Sequence, residues 1–124
     1  KLQERIRFID FQNQSLMPGI YQQADVFVLP SQGPGETWGL AVNEAMAAGC
    51  AVLVSDRCGC HLDLVQEGVN GYVFSIYIAN DLLVKMRQVL ANRSQLENMK
   101  AASPAIIKNF SFLRICEAIE SEMQ

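Results

Sequence analysis

Two carboxylates, Glu36 and Glu44, stand eight positions apart in the stretch Q-G-P-G-E-T-W-G-L-A-V-N-E-A-M-A-A-G, Gln32 to Gly49. A carboxylate only accepts hydrogen bonds, and each one can take two from a neutral diol. The glycines between and before the acids suit a different partner. Gly33, Gly35 and Gly39 let backbone approach a ligand, and Gly39 stands just before a run of helix formers, Leu40 to Ala48. A helix start carries unpaired N–H groups and a partial positive charge, which attract phosphate. Acids placed at such a junction are more useful beside hydroxyls than against the phosphate itself.

These residues need elements to hold them. Val26–Leu29 is a short apolar run and predicts a buried strand. Pro30 ends it, having no N–H for a sheet. After the glycine loop and the helix, Gly49 fits a left-handed C-cap, and Ala51–Val54 predicts the next strand. Strand, loop, helix, strand is a parallel crossover, and its loop faces the ligand crevice at the strand's carboxyl end.

The remaining chain supplies more elements. Arg5–Phe11 alternates and predicts a strand. Ser15 predicts a cap for a helix over Leu16–Gln23, with Leu16, Ile20 and Ala24 inward. Val26–Leu29, apolar on both faces, predicts a central parallel strand. His61–Gln66 predicts a short helix with Leu62 and Val65 inward, Gly68–Gly71 a turn, and Tyr72–Phe74 a strand. Asn80 is the expected cap of a helix over Asp81–Ala91, its stripe Leu82, Met86, Val89 and Leu90. Ser94 to Glu97 is the expected capping box of the next. Pro104 predicts a kink or break there. Ser111 predicts a cap for a last amphipathic helix with Phe112, Ile115, Cys116, Ile119 and Met123 on one face.

Composition narrows the classes. A chain of 124 residues, half of them hydrophobic, makes one globular domain. Net charge is −3 without a basic cluster, which argues against nucleic acid as a partner. Cys58-Gly59-Cys60-His61 has no second ligand pair, so four-coordinate zinc is not expected. Cys50, Cys58, Cys60 and Cys116 read instead as reduced, half-buried thiols of a cytoplasmic protein.

E-T-W-G-L-A-V-N-E-A-M-A-A-G resembles the E-x7-E motif of retaining GT-B glycosyltransferases, the family called GT4. Ala24–Ser31 (A-D-V-F-V-L-P-S), Val52–Asp56, Cys60, Leu64-Val65, Glu67-Gly68 and Asn70–Phe74 extend the resemblance over most of the chain. It implies an α/β fold: a Rossmann-like parallel sheet with flanking helices, residues 1–124 forming an incomplete C-terminal, nucleotide-sugar-binding domain of a GT-B enzyme. Ala51 and Cys58 depart mildly from the family pattern.

The resemblance also implies roles. Glu36 is the expected catalytic carboxylate, sitting by the donor sugar and accepting hydrogen bonds from its hydroxyls. Amides of Thr37, Trp38, Gly39 and Leu40 approach the sugar and distal phosphate, Leu40 packs near the ribose, and Glu44 holds the ribose 2′- and 3′-hydroxyls. Trp38 reads as a packed loop aromatic ahead of a stacking platform for the base, and Arg57 as a solvated loop residue ahead of a phosphate ligand. The implied partner is a nucleotide-diphosphate sugar, with transfer under retention to an acceptor of unknown identity and no metal or other cofactor. The usual task is polysaccharide or other surface-glycan synthesis, in the cytoplasm or at the inner face of the membrane.

The resemblance further implies two strands before Arg5, lying between the Ile6 and Val26 strands, and a separate N-terminal acceptor domain. Without them the fragment alone is expected to be inactive. The edge of Val26–Leu29 would be bare, and either the Ile6 strand moves into the gap or chains self-associate or swap strands. Two other classes compete with this reading. An NAD-type module fails because Leu40-Ala41-Val42-Asn43 lacks the third glycine of G-x-G-x-x-G. A non-catalytic nucleotide-binding or interaction module on the same fold stays open.

Overall fold

The computed structural model describes residues 1–124. Three strands form one parallel sheet: β1 (Val26–Leu29), β2 (Ala51–Ser55) and β3 (Gly71–Phe74), in the order β1-β2-β3. All five residues of β2 are buried, so this strand is the centre of the domain. Its side chains alternate between two cores, as the pleat dictates. Val52 and Val54 join Phe27, Leu29 and Val73 on one face. Ala51 and Leu53 join Val26, Val28 and Tyr72 on the other.

Helices cover both faces. α1 (Met17–Tyr21) lies before β1. α2 (Leu40–Ala47) presses Val42 and Met46 onto the first face, where Cys58, Cys60 and Leu64 of the β2–β3 connection join them. That connection includes the one-turn α3 (His61–Leu64). α4 (Asp81–Leu90) and α5 (Arg93–Ile107) give Val89, Leu96 and Met99 to the second face. Each fully buried side chain of this size contributes about 1.5–3 kcal/mol of transfer free energy. α6 (Phe112–Glu122) comes last and is exposed along its whole length.

Parallel pairing brings β3 so close to β2 that only glycine fits at its first position. An ideal Cβ on Gly71 would stand 1.8 Å from the Val52 carbonyl oxygen. At the opposite end of β1, Asp25 binds Lys100 at 2.7 Å and Arg93 at 3.5 Å, tying the strand's start to α5. Lys100 beside it holds the Asp25 carboxyl below its ordinary range.

Several expectations are corrected. Arg5–Phe11 forms no strand: Leu2–Arg5 is a 3-10 turn, and Phe8 and Phe11 are 95% and 96% exposed. Alternation suits a strand, but a strand's hydrogen bonds must come from a neighbouring strand, and none lies beside this segment. It does not fill the open side of β1 either, so β1 is an edge and β2 the central strand.

The first helix is shorter than expected, and Asn13, not Ser15, caps the 3-10 turn before it. Its buried residue is Tyr21, while Leu16 faces out. Asn92 caps α5 in place of Ser94, because Asn92 is where the backbone is still extended (φ −138°, ψ 113°). Asn80 precedes α4 in a left-handed conformation (φ 63°) with no side-chain cap bond; Asp81 instead accepts the Ser75 amide at 2.8 Å. Leu62 is 81% exposed, and Leu64 takes the inward place. Of the α4 stripe, Val89 is buried and Leu90 is mostly exposed.

α5 runs through Pro104 without a break. The proline forfeits a single ladder bond there, and apolar anchoring on both sides of it (Met99, then Ile106 and Ile107) keeps the helix intact. Ser111 caps α6 as expected, accepting the Arg114 amide at 3.3 Å. No helix is long and apolar enough to cross a membrane.

Candidate functional site

The loop from Pro30 to Gly39 leaves the carboxyl end of β1 and is fastened at both ends by the end of β2 and the connection to β3. Ser55, the last residue of β2, donates its hydroxyl to the Ser31 carbonyl at 2.6 Å. The Cys60 amide donates to the Trp38 carbonyl at 3.0 Å. Between these ties the chain at Gly59 lies flat against the loop: a Cβ there would stand 1.9 Å from the Thr37 carbonyl oxygen. Gly39, the residue before α2, holds φ 99°, a left-handed conformation. Its absent side chain leaves room for Leu29, Cys58 and Cys60, whose atoms lie 3.1 to 3.8 Å from where a Cβ would be.

This fastening leaves backbone donors unpaired. The amides of Thr37, Trp38 and Gly39 meet no acceptor within the chain. Those of Leu40 and Ala41 stand in the first turn of α2, where no helical carbonyl lies one turn back. Gly39 brings no side-chain cap either, so the helix start keeps its donors and its partial positive charge. The arrangement can bind an anion of phosphate size through backbone alone.

The acids flank it. Glu36 is half-buried in the loop, and Ser31 Oγ donates to its Oε2 at 3.4 Å. Glu44 lies on α2. Val42, Ala45 and Met46 point into the core, so Leu40, Asn43, Glu44 and Ala47 share the other stripe of the helix. Glu44 accepts from Tyr21 Oη at 3.1 Å and from Gln14 Nε2 at 3.2 Å. Burial first, then the bond to Glu44, pushes the Tyr21 phenol up to about 12.

Two concavities meet at Glu44. One, of about 320 Å³, lies between α1 and α2 and includes Gln14, Met17 and Tyr21. The other is an open groove of about 870 Å³ between α2 and the start of α6. Trp38, Leu40 and Glu44 line the groove together, facing Lys108 and Arg114. Glu36 and Thr37 line neither concavity; the structure puts them at the loop above the sheet end.

Trp38 is a packed loop aromatic. It rests against the first core cluster and donates Nε1–H to Asn43 Oδ1 at 2.9 Å. Leu40 is 68% exposed, free to meet a ligand. Arg57 is exposed. Sequence reasoning missed Tyr21, Gln14, Asn43 and the two groove cations. No spacing rule links Tyr21 to a helix beginning nineteen positions later; only the packing of α1 on α2 does.

Cys50, Cys58 and Cys60 are fully buried rather than half-buried, and Cys116 is exposed. Burial above all pushes the Cys60 thiol up to about 11. His61 turns Nδ1 to the Cys58 carbonyl at 2.7 Å, closing the bend that holds the loop. These thiols act as small apolar side chains. Alkylation with iodoacetamide followed by peptide mass spectrometry should modify Cys116 first. Cys50, Cys58 and Cys60 should stay unmodified until denaturant opens the core.

Parallel strands with helices on both faces and a loop opened at the strands' carboxyl ends define a Rossmann-like α/β domain. Residues 1–105 match the family model described as glycosyl transferases group 1, and the chain belongs to that family. It is 33% identical over 105 residues to sulfoquinovosyl transferase SQD2 of Arabidopsis thaliana, covering 82% of this chain and 20% of that protein. It is 27% identical over 114 residues to the lipopolysaccharide 1,2-N-acetylglucosaminetransferase of Salmonella typhimurium, covering 91% of this chain and 29% of that one. The fold matches Anabaena Alr3699/HepE, solved in complex with UDP, with a TM-score of 0.83 at 23% identity, over 98% of this chain and 33% of that one. The same protein in complex with UDP-glucose gives a TM-score of 0.80 at 22% identity, with the same coverage. The chain thus spans between a fifth and a third of the relatives it matches.

Proposed function

We propose that this chain is the donor-binding part of a retaining glycosyltransferase of the GT4 type, and that it takes a sugar nucleoside diphosphate at the carboxyl ends of β1 and β2. The observation that carries the reading is the row of unpaired amides from Thr37 into the first turn of α2, with an acid on either side. The distal phosphate sits on those amides, which stabilise its charge as the sugar departs. Glu36 accepts hydrogen bonds from the sugar hydroxyls. Glu44 accepts them from the ribose diol, with Leu40 packed beside it. Attack comes from the leaving-group face, without a covalent enzyme intermediate, and retains the anomeric configuration. Backbone amides and cations meet the diphosphate charge, so the reading needs no metal.

Further cations and the acceptor site belong to the rest of the full-length protein, and this chain by itself transfers no sugar. That Alr3699/HepE was solved with UDP and UDP-glucose makes UDP-sugars the first donors to test. Calorimetric titration of the full-length protein with UDP-, GDP- and ADP-sugars should find one that binds. Glu36→Gln should lower turnover of that donor on the order of 100-fold or more, with a much smaller change in its affinity. NMR of the product should show the donor's anomeric configuration. An inverted product removes the retaining mechanism, and an intact protein that binds no sugar nucleotide removes the reading itself.

A further inference from the structure

Glu44 is held before any ligand arrives. Each of its oxygens takes one donor from a different segment: Tyr21 Oη–H gives to Oε2 and Gln14 Nε2 gives to Oε1, at 3.1 and 3.2 Å. An ionised carboxylate has about four lone-pair sites. Two remain here, one on each oxygen, which is the number a vicinal diol requires.

The two donors differ in how firmly they are placed. Gln14 is exposed, on a long flexible side chain. Tyr21 is 8% exposed. Its ring meets Phe27 edge-on at 5.6 Å between centroids, and its carbonyl accepts the Cys50 thiol at 3.2 Å. The tyrosine is therefore fixed to the core at both its ring and its backbone, and its hydroxyl reaches out of the core to Glu44.

We propose that Tyr21 is a positioning residue for nucleotide recognition: its hydroxyl pins the Glu44 carboxylate so that one lone pair on each oxygen faces a vicinal diol. The inference rests on the reading of Glu44 as the acceptor for the ribose hydroxyls. A glutamate free to turn loses rotamer entropy when a ligand fixes it, and a pinned one has already lost it. The phenol, pushed up to about 12, keeps its proton at any ordinary working pH and so remains a donor.

The test uses the full-length protein, calorimetry, and whichever of UDP, GDP and ADP the wild type binds, together with the 2′-deoxy form of that nucleotide. Tyr21→Phe keeps the ring and removes only the hydroxyl. It should weaken the ribonucleotide about tenfold and the 2′-deoxynucleotide less than about threefold, with thermal unfolding little changed. In a Glu44→Ala background the same substitution should alter ribonucleotide affinity less than about twofold, because the group it acts through is gone.

Equal weakening of both nucleotides by Tyr21→Phe, or additive losses in the double variant, overturns the inference and leaves the role of Glu44 standing. A wild type that binds the two nucleotides equally removes the diol reading of Glu44 and the inference with it.

Discussion

Replacing Glu44 by alanine in the full-length protein should weaken binding of the donor nucleotide on the order of 30- to 150-fold, the equivalent of about 2–3 kcal/mol for two hydrogen bonds to a charged acceptor. The expected loss is largest for nucleotides with an intact diol. The 2′-deoxy form, which already lacks one of the two bonds, should lose less. Glu44→Gln keeps an acceptor for one hydroxyl without the charge and should fall between the two.

The alanine variant carries a second, separable effect. Tyr21 donates to Glu44 where both line the concavity between α1 and α2, so alanine removes that bond and costs about 0.5–1.5 kcal/mol of stability. Calorimetry well below the unfolding midpoint reads the binding loss, and a thermal scan reads the stability loss. A Glu44→Ala protein that binds the nucleotide as the wild type does would show that α2 offers its acid to something else.

The second large effect is expected at a residue with no functional group. Gly59→Ala puts a methyl 1.9 Å from the Thr37 carbonyl oxygen, and the obstacle is backbone, which cannot rotate away. The loop must move outward by more than an ångström. Overpacking of this kind costs about 1–3 kcal/mol of stability. The functional loss should be larger, because the displaced segment carries the amides of Thr37 to Gly39; a misplacement of that size lowers turnover about 100-fold. Gly33→Ala and Gly35→Ala serve as controls, since a Cβ at either position meets nothing within 4 Å. If Gly59→Ala transfers sugar as well as those controls do, the apposition of the two loops has no part in catalysis.

These expectations draw unequally on sequence and structure. The crossover around the site was legible because its signals are local. Val26–Leu29 and Ala51–Val54 are continuous apolar runs, Pro30 and Gly49 punctuate them, and Leu40–Ala48 is rich in helix formers; the structure returns these elements within a residue. Gly49 takes the positive φ that its place after a helix end favours, and Gly39 takes one at the bend into α2. The stripe that carries Glu44 follows from the period of the helix once Val42 and Met46 are assigned to the core.

Elsewhere local signals misled. Arg5–Phe11 alternates as a strand does, yet pairing is a property of two segments, and the second is not beside it. Asn80 and Ser94 have the chemistry of caps, but Asn80 precedes α4 in a left-handed conformation that makes no side-chain cap bond, and Ser94 already lies inside α5.

The sequence by itself determined the class of element at the site, the amide-lined bend and the presence of two acids, because helix, turn and strand preferences act over a few neighbouring residues. Only the tertiary structure decided that Gly59 clamps Thr37, that Tyr21 and Gln14 hold Glu44, and that Trp38 turns to Asn43 rather than lying open as a platform. These contacts join side chains and backbone from separate elements, and their geometry is set by how helices pack on the sheet, which no spacing along the chain records.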